Sequence, residues 1–196
     1  PLDRSSSRSR IAASLAALRG PHAGESAAIG LDWLQAGVKR WRPLLVACAH
    51  EALKPSPGGK LPGSLRSAAV AVECFHKASL VHDDIEDGDD RRYGRRTLHA
   101  EYGVPVALNV GDYLVGQGYR LLAGAALPPR QRAAMSAAAA EAHCRLCVGQ
   151  GEELALRATD AVPAVEEVTR ISRLKTAPAF EVALKIGCIA AGCGGQ

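Results

Sequence analysis

The chain has 196 residues, a net charge of +4, and 47% hydrophobic against 4% aromatic residues, so it is long enough for one domain with a sizeable core and only mildly basic. No stretch joins clustered basic residues to aromatic stacking platforms, which excludes a nucleic-acid footprint, and no run approaches the ~18 consecutive apolar residues of a membrane span. A core rich in alanine and leucine but poor in aromatics favours helices over sheets.

In chain order, the first predicted element is an amphipathic helix over residues 8 to 19. The stretch before it is basic, but Arg19 interrupts the short apolar patch and no convincing cleavage site follows, so a first helix is expected rather than a signal peptide. Helical periodicity then predicts helices over 41–53, 64–87, 104–125, 129–156 and 164–192. The loop PSPGGKLPGS at 55–64 and the pair Pro128, Pro129 act as breakers. Strand-like alternation and internal repeats are both missing from the sequence, and the expected fold class is all-α.

Two places carry chemistry. Just before Pro43, Lys39 and Arg42 lie three apart on one prospective face, where they either grip a diphosphate together or form an ordinary basic helix start. The helix over 64–87 runs into LVHDDIEDGDDRR. There Asp83, Asp84, Glu86, Asp87, Asp89 and Asp90 are followed at once by Arg91 and Arg92. On a helix Asp83, Glu86 and Asp87 crowd one face over a single turn, and like charges at that spacing repel. A divalent cation or nearby guanidinium groups relieve the repulsion. Hard oxygen ligands suit Mg²⁺, which typically takes one or two carboxylates plus phosphate oxygens. The plainer alternative is a solvated acidic turn in which Asp87 pairs with Arg91.

The apolar run SAAVAVECFHKASLVH precedes the acids, so they end a buried helix. At helical pitch the face beneath Asp83 carries Leu80, Ser79, His76, Phe75 and Val72. Acids at the mouth of an apolar trough imply a substrate with an anionic head and a greasy tail. Of the six cysteines, Cys144 and Cys147 form the only C-x-x-C, beside His143, in an alanine-rich helical segment with no matching second pair. They are expected to be small buried thiols and not a zinc or redox site. Reduced thiols fit a cytoplasmic protein.

Several motifs in a fixed order now resemble those of the trans-isoprenyl diphosphate synthases, the polyprenyl synthetase family. GVKRWRPLL at 37–45 is similar to the family's G-G-K-R-x-R-P segment, and ECFHKASLVHDDIED at 73–87 contains its first aspartate-rich motif, D-D-x-x-D, as Asp83, Asp84 and Asp87. TLHAEYG at 97–103, ALNVGDYL at 107–114 and GQGEEL at 149–154 follow, and LKTAPAFEVALKIGCIAAG at 174–192 is like the family's K-T-x-x-x-F helix.

The resemblance implies an isoprenoid synthase-type helical bundle around a central apolar cavity, with residues 1–196 as a single domain representing the N-terminal portion of the family fold. It implies a homodimer and Mg²⁺-dependent, head-to-tail condensation of isopentenyl diphosphate with an allylic prenyl diphosphate. Asp83 and Asp87 would hold the metal beside Asp84. Arg92 and Lys175 would add positive charge at the departing pyrophosphate, with Thr176 as a neutral donor. Lys39, Arg42 and His76 would seat isopentenyl diphosphate, and Gln150 resembles the family's glutamine near the allylic cation. The growing chain would run down the face below Asp83. Phe75 lies about 12 Å along that face at 1.5 Å per residue and is a candidate floor. The small Ala78 and Ser79 leave room for geranylgeranyl or slightly longer products.

Two departures stand out. Aligning Gly94 with the family's R-R-G matches Arg92 but puts Tyr93 where the second arginine, a usual contact of isopentenyl diphosphate, belongs; Arg91, Arg95 or Arg96 is expected to substitute. The chain also stops at Gln196, before any second D-D-x-x-D, and begins with Pro1, so it is expected to be a piece of a longer protein and nearly inactive alone. Alternative readings are a non-catalytic subunit of a prenyl synthase and a class I terpene cyclase. The cyclase has no need of an isopentenyl site such as Lys39, Arg42 and His76.

Overall fold

Glycine and proline set the element boundaries. The computed structural model describes residues 24–37, 40–56, 60–159 and 162–193, and among these the secondary structure is seven helices and one two-stranded ladder. The helices are α1 (Glu25–Gln35), α2 (Trp41–Leu53), α3 (Gly63–Asp87), α4 (Leu98–Tyr102), α5 (Val104–Ala123), α6 (Pro129–Arg157) and α7 (Val165–Ala191). β1 (Arg91–Arg92) and β2 (Arg95–Arg96) pair antiparallel. The five helices predicted from Trp41 onward are present with closely matching ends. The helix expected over 8–19 lies outside the described residues, as does Lys39.

Three elements went unforeseen: α1, the two-stranded ladder and the five-residue α4. α1 carries Ala27, Gly30, Leu31 and Leu34 buried at helical spacing behind an acidic first turn, a signal present in the sequence. The ladder has two residues per strand, too few for alternation to register. Its loop is Tyr93-Gly94, with φ of 56° and 78°, the positive pair that a two-residue type I′ turn requires.

The ends of the long helices follow known chemistry. α3 stops at Gly88, which takes φ 68°, while the Asp89 N–H donates back to the Asp84 carbonyl at 3.0 Å. That cap turns the chain toward the hairpin. Pro129 opens α6 at its first position, and Gly192 closes α7 at φ 103°.

Internal packing divides the chain into two units, Pro1–Arg40 with Glu73–Arg120, and Trp41–Val72 with Leu121–Gln196. The core of the first is Trp33, Ala78, Val81, Leu98, Ala107, Val110 and Leu114, with Ile29, Ile85, Val106, Tyr113 and Val115 packed around it. Each large apolar side chain buried there contributes roughly 1.5–3 kcal/mol before entropy is counted. Gly111 and Gly118 of α5 are seven apart and receive two α3 side chains that are also seven apart, His82 and Phe75. A Cβ at either glycine would meet the facing ring at 2.2 or 2.5 Å.

In the second unit α7 packs against both α2 and α6. Its core includes Val46, Met135, Ala139, Ala142, Ile171, Val182, Ala183 and Ile186. Small residues let backbones approach closely. A Cβ on Gly187 would lie 2.4 Å from the Val46 carbonyl oxygen, and one on Gly149 would lie 2.6 Å from the Lys175 nitrogen.

Candidate active site

The end of α3 sorts its acids by depth. Successive helical residues turn by 100°, so Asp83 and Asp87 share a face while Asp84 points inward. Asp83 is half-buried and Asp87 exposed, whereas Asp84 is only 1% exposed. Asp84 accepts a charge-assisted hydrogen bond from Arg92 Nε, and the same guanidinium reaches Asp89 at 3.4 Å. The second carboxylate oxygen of Asp84, Oδ2, is buried without a hydrogen-bond partner. Burial pushes the Asp84 carboxyl above the usual aspartate range, and Arg92 pulls it only part of the way back. Asp84 therefore ties the hairpin to α3.

No three His, Cys, Asp or Glu side chains converge as a closed metal site among the described residues. Asp83 and Asp87 offer hard oxygens one turn apart and leave coordination to be completed by something else, which is how Mg²⁺ is usually held on a phosphorylated ligand. Below Asp83 on α3, Ser79 is exposed and spends its hydroxyl on the His76 carbonyl at 2.9 Å. Phe75 is half-buried and meets Tyr119 edge-on, with centroids 4.9 Å apart. Ala78 belongs to the buried core cluster. Arg91 is exposed and lies opposite Arg96 in the ladder, and Arg95 pairs with Asp32 at 2.8 Å over the Trp33 ring.

In the second unit the close approach at Gly149 sets α6 beside α7, next to Gln150 on one helix and at Lys175 on the other. Lys175 makes an ion pair with Glu153 at 2.9 Å, and Arg157 joins the same carboxylate. Arg170 to Glu152 at 2.6 Å and Arg145 to Glu181 at 2.7 Å add two more rungs between the helices. Pro178 lies buried inside α7 and has no N–H to give, so the Leu174 carbonyl loses its helical donor just before Lys175 and the exposed Thr176. The Arg42 guanidinium stands 5.0 Å over the Phe180 ring. The sequence did not suggest Glu153 as the partner of Lys175; only its spacing after Gln150 in GQGEEL could have raised it.

The family model described as Polyprenyl synthetase matches residues 27–196. The chain belongs to the polyprenyl synthetase family. It is 31% identical over 157 residues to a geranylgeranyl pyrophosphate synthase of Geoglobus acetivorans, covering 80% of this chain and 47% of that protein. Identity is 34% over 189 residues to a geranylgeranyl diphosphate synthase of Cereibacter sphaeroides, covering 93% and 62%. It is also 34% over 167 residues to the farnesyl diphosphate synthase of Escherichia coli, covering 82% and 54%. Among solved structures, the geranylgeranyl pyrophosphate synthetase of Geoglobus acetivorans superposes with a TM-score of 0.83 at 28% identity, over 97% of this chain and 60% of that one. The chain thus spans about half to three-fifths of the length of these relatives.

As a member of the polyprenyl synthetase family the chain has the helical isoprenoid synthase fold. No helix among the described residues is long and apolar enough to cross a membrane. One expectation needs correction: the cysteines are not uniformly buried. Cys74 is, and burial beside Glu73 pushes its thiol up to about 12. Cys48, Cys144, Cys147 and Cys193 are exposed, because helical spacing puts them on outward faces of α2 and α6 and at the end of α7.

Proposed function

We propose that the protein represented by this chain is a prenyl-elongating transferase that condenses isopentenyl diphosphate with an allylic prenyl diphosphate. The observation that carries the reading is the end of α3. Asp83 and Asp87 stand one turn apart above Phe75, while Asp84 is drawn inward by Arg92. An anionic head and an apolar tail suit that face in sequence.

Asp83 and Asp87 are the residues that would hold Mg²⁺. When bound, the ion supplies Lewis acidity toward the pyrophosphate that leaves the allylic carbon. Lys175 contributes charge and Thr176 a hydroxyl to that same leaving group. Lys39, Arg42 and His76 seat isopentenyl diphosphate, and Gln150 faces the allylic cation. Holding the two substrates in line turns a bimolecular encounter into a local one. Arg92 adds its charge to that leaving group as well, from a hairpin that its pair with Asp84 fixes, and Arg91 offers a second guanidinium to a diphosphate.

Products of geranylgeranyl length or slightly longer fit the small Ser79 and Ala78, with Phe75, braced by Tyr119 and Gly118, as the floor. The protein acts as a cytoplasmic homodimer on this reading; its cysteines form no disulfide, which suits a reducing compartment. The test is incubation of the full-length protein with Mg²⁺, isopentenyl diphosphate and farnesyl diphosphate, followed by analysis of the extracted prenyl alcohols. A longer product is expected; its absence rejects the assignment.

A further inference from the structure

Lys77 is only 2% exposed, in the middle of α3. Its ammonium donates to the Ala36 carbonyl, just past the end of α1, at 2.6 Å, and lies 4.1 Å from the centroid of the Tyr93 ring. That ring packs on Trp33 of α1 with centroids 6.1 Å apart. Gly37 is fitted to the same node. It takes φ 88°, and a Cβ there would sit 3.1 Å from both the Lys77 ammonium and the Tyr93 ring. Tyr93, at φ 56°, is the one non-glycine residue with positive φ among those described, a strained conformation for a bulky side chain. Three segments distant in sequence therefore meet around one buried cation.

An apolar side chain would fill this place at lower energy, since burying a charge is unfavourable unless something needs it. The charges around it point to what does. Burial, opposed by Glu73 and assisted by Arg40 and Arg92, brings Lys77 down to about 8. Arg92 already has Asp84 as its counterion. With Glu73 set against Lys77 and Asp84 against Arg92, the three cations Lys77, Arg40 and Arg92 face two carboxylates, and oxygens of a diphosphate answer the positive charge left over.

We propose that Lys77 is a positioning residue for the diphosphate of the isopentenyl substrate: clamped beneath Tyr93, it fixes the Ala36-Gly37 turn that leads into Arg40 and holds positive charge there. The residue at the position of the family's second arginine then acts by seating a lysine from α3. This inference rests on the proposed function.

The experiment is calorimetric titration of the full-length protein with isopentenyl diphosphate alone, in EDTA, for the parent, Lys77→Met, Tyr93→Phe and Tyr93→Ala. Loss of a desolvated cation and its ring contact should weaken binding about tenfold or more in Lys77→Met and roughly fivefold in Tyr93→Ala. Tyr93→Phe keeps the ring and should stay within about twofold. Affinity of the parent should fall as pH rises through about 8, where Lys77 loses its proton, and Lys77→Met should lack that step. In turnover the KM for isopentenyl diphosphate should rise while kcat and the KM for the allylic substrate change little.

If Lys77→Met does not fold, the Phe and Ala variants at position 93 decide alone. Equal binding by Tyr93→Ala and the parent overturns the proposal, as does an unchanged pH dependence in a folded Lys77→Met. A parent that binds no isopentenyl diphosphate rejects the functional assignment and this inference together. A parent that binds it as tightly as its variants rejects only the inference.

Discussion

Both units pair a carboxylate with a cation close to residues assigned to chemistry, and they do so at different depths. In the first unit the Asp84 side chain is 1% exposed and Arg92 25%; in the second Glu153 is 23% exposed and Lys175 26%. A buried pair is held in one geometry because separating it strands a charge away from water, whereas a half-exposed pair is screened and exchanges partners readily. Three aspartates of one motif are thus divided in labour: Asp83 and Asp87 turn outward, and Asp84 builds the structure that supports them. On the proposed function it is the Lys175 pair that opens toward an incoming anion.

The sharpest way to break this comparison is to remove an outward acid and an inward partner separately. Asp83→Ala should lower prenyl transfer by about three orders of magnitude or more, as loss of a metal-held charge at the reacting centre does, with the circular dichroism unchanged. Glu86→Gln should be much milder. Comparable turnover in Asp83→Ala and the parent would remove Asp83 from the metal site.

Arg92→Met should act on stability. It leaves Asp84 buried and uncompensated, a loss of about 3–5 kcal/mol, and urea unfolding at neutral pH measures it. The pH dependence has a definite sign. The folded Asp84 carboxyl lies above its ordinary value of 3.8, so the native state holds the proton more tightly than the unfolded chain. Its stabilising contribution is full below that ordinary value and is lost as pH rises through the higher folded one. Arg92→Met should steepen the loss, and Asp84→Asn should abolish it.

Most of the helices were legible because the apolar period is strong and Gly88, Pro129 and Gly192 mark its ends. The acid cluster was legible because six carboxylates in so short a span demand an explanation. Pairings across the sequence were not. That Asp84 faces inward follows from helix geometry, but its choice of Arg92 over Arg91 depends on the αL turn at Gly88 and the Tyr93-Gly94 loop. Lys77 hides in an apolar run where a lysine passes for a snorkelling side chain. Only its contacts with Ala36 and Tyr93 set it apart.

A smaller effect is expected lower on α3. Phe75 lies against Gly118, with its ring edge-on to Tyr119, so Phe75→Ala opens space that the neighbouring glycine cannot refill. Truncating a buried phenylalanine typically destabilises by about 3–5 kcal/mol, and the half-burial here should keep the effect toward or below the lower end. Product analysis should show a shift to longer prenyl chains. An unchanged distribution would remove Phe75 as the floor.

The smallest effect should come from the half-exposed pair. Glu153→Gln keeps the shape of the side chain and removes its charge, so Lys175 loses its counterion while Arg157 loses a partner on the same helix. Pairs this exposed contribute at most about 1 kcal/mol, and the urea midpoint should hardly move. If Lys175 serves the leaving group, its charge in the parent must first be released from Glu153, and the variant is spared that exchange. Inorganic pyrophosphate with Mg²⁺ should then bind severalfold more tightly to Glu153→Gln than to the parent. Lys175→Met should reverse the gain when the two substitutions are combined. Weaker pyrophosphate binding in Glu153→Gln would mean that Glu153 orients Lys175 toward the anion and does not compete with it, and the contrast between a fixed buried pair and an exchangeable exposed one would no longer hold.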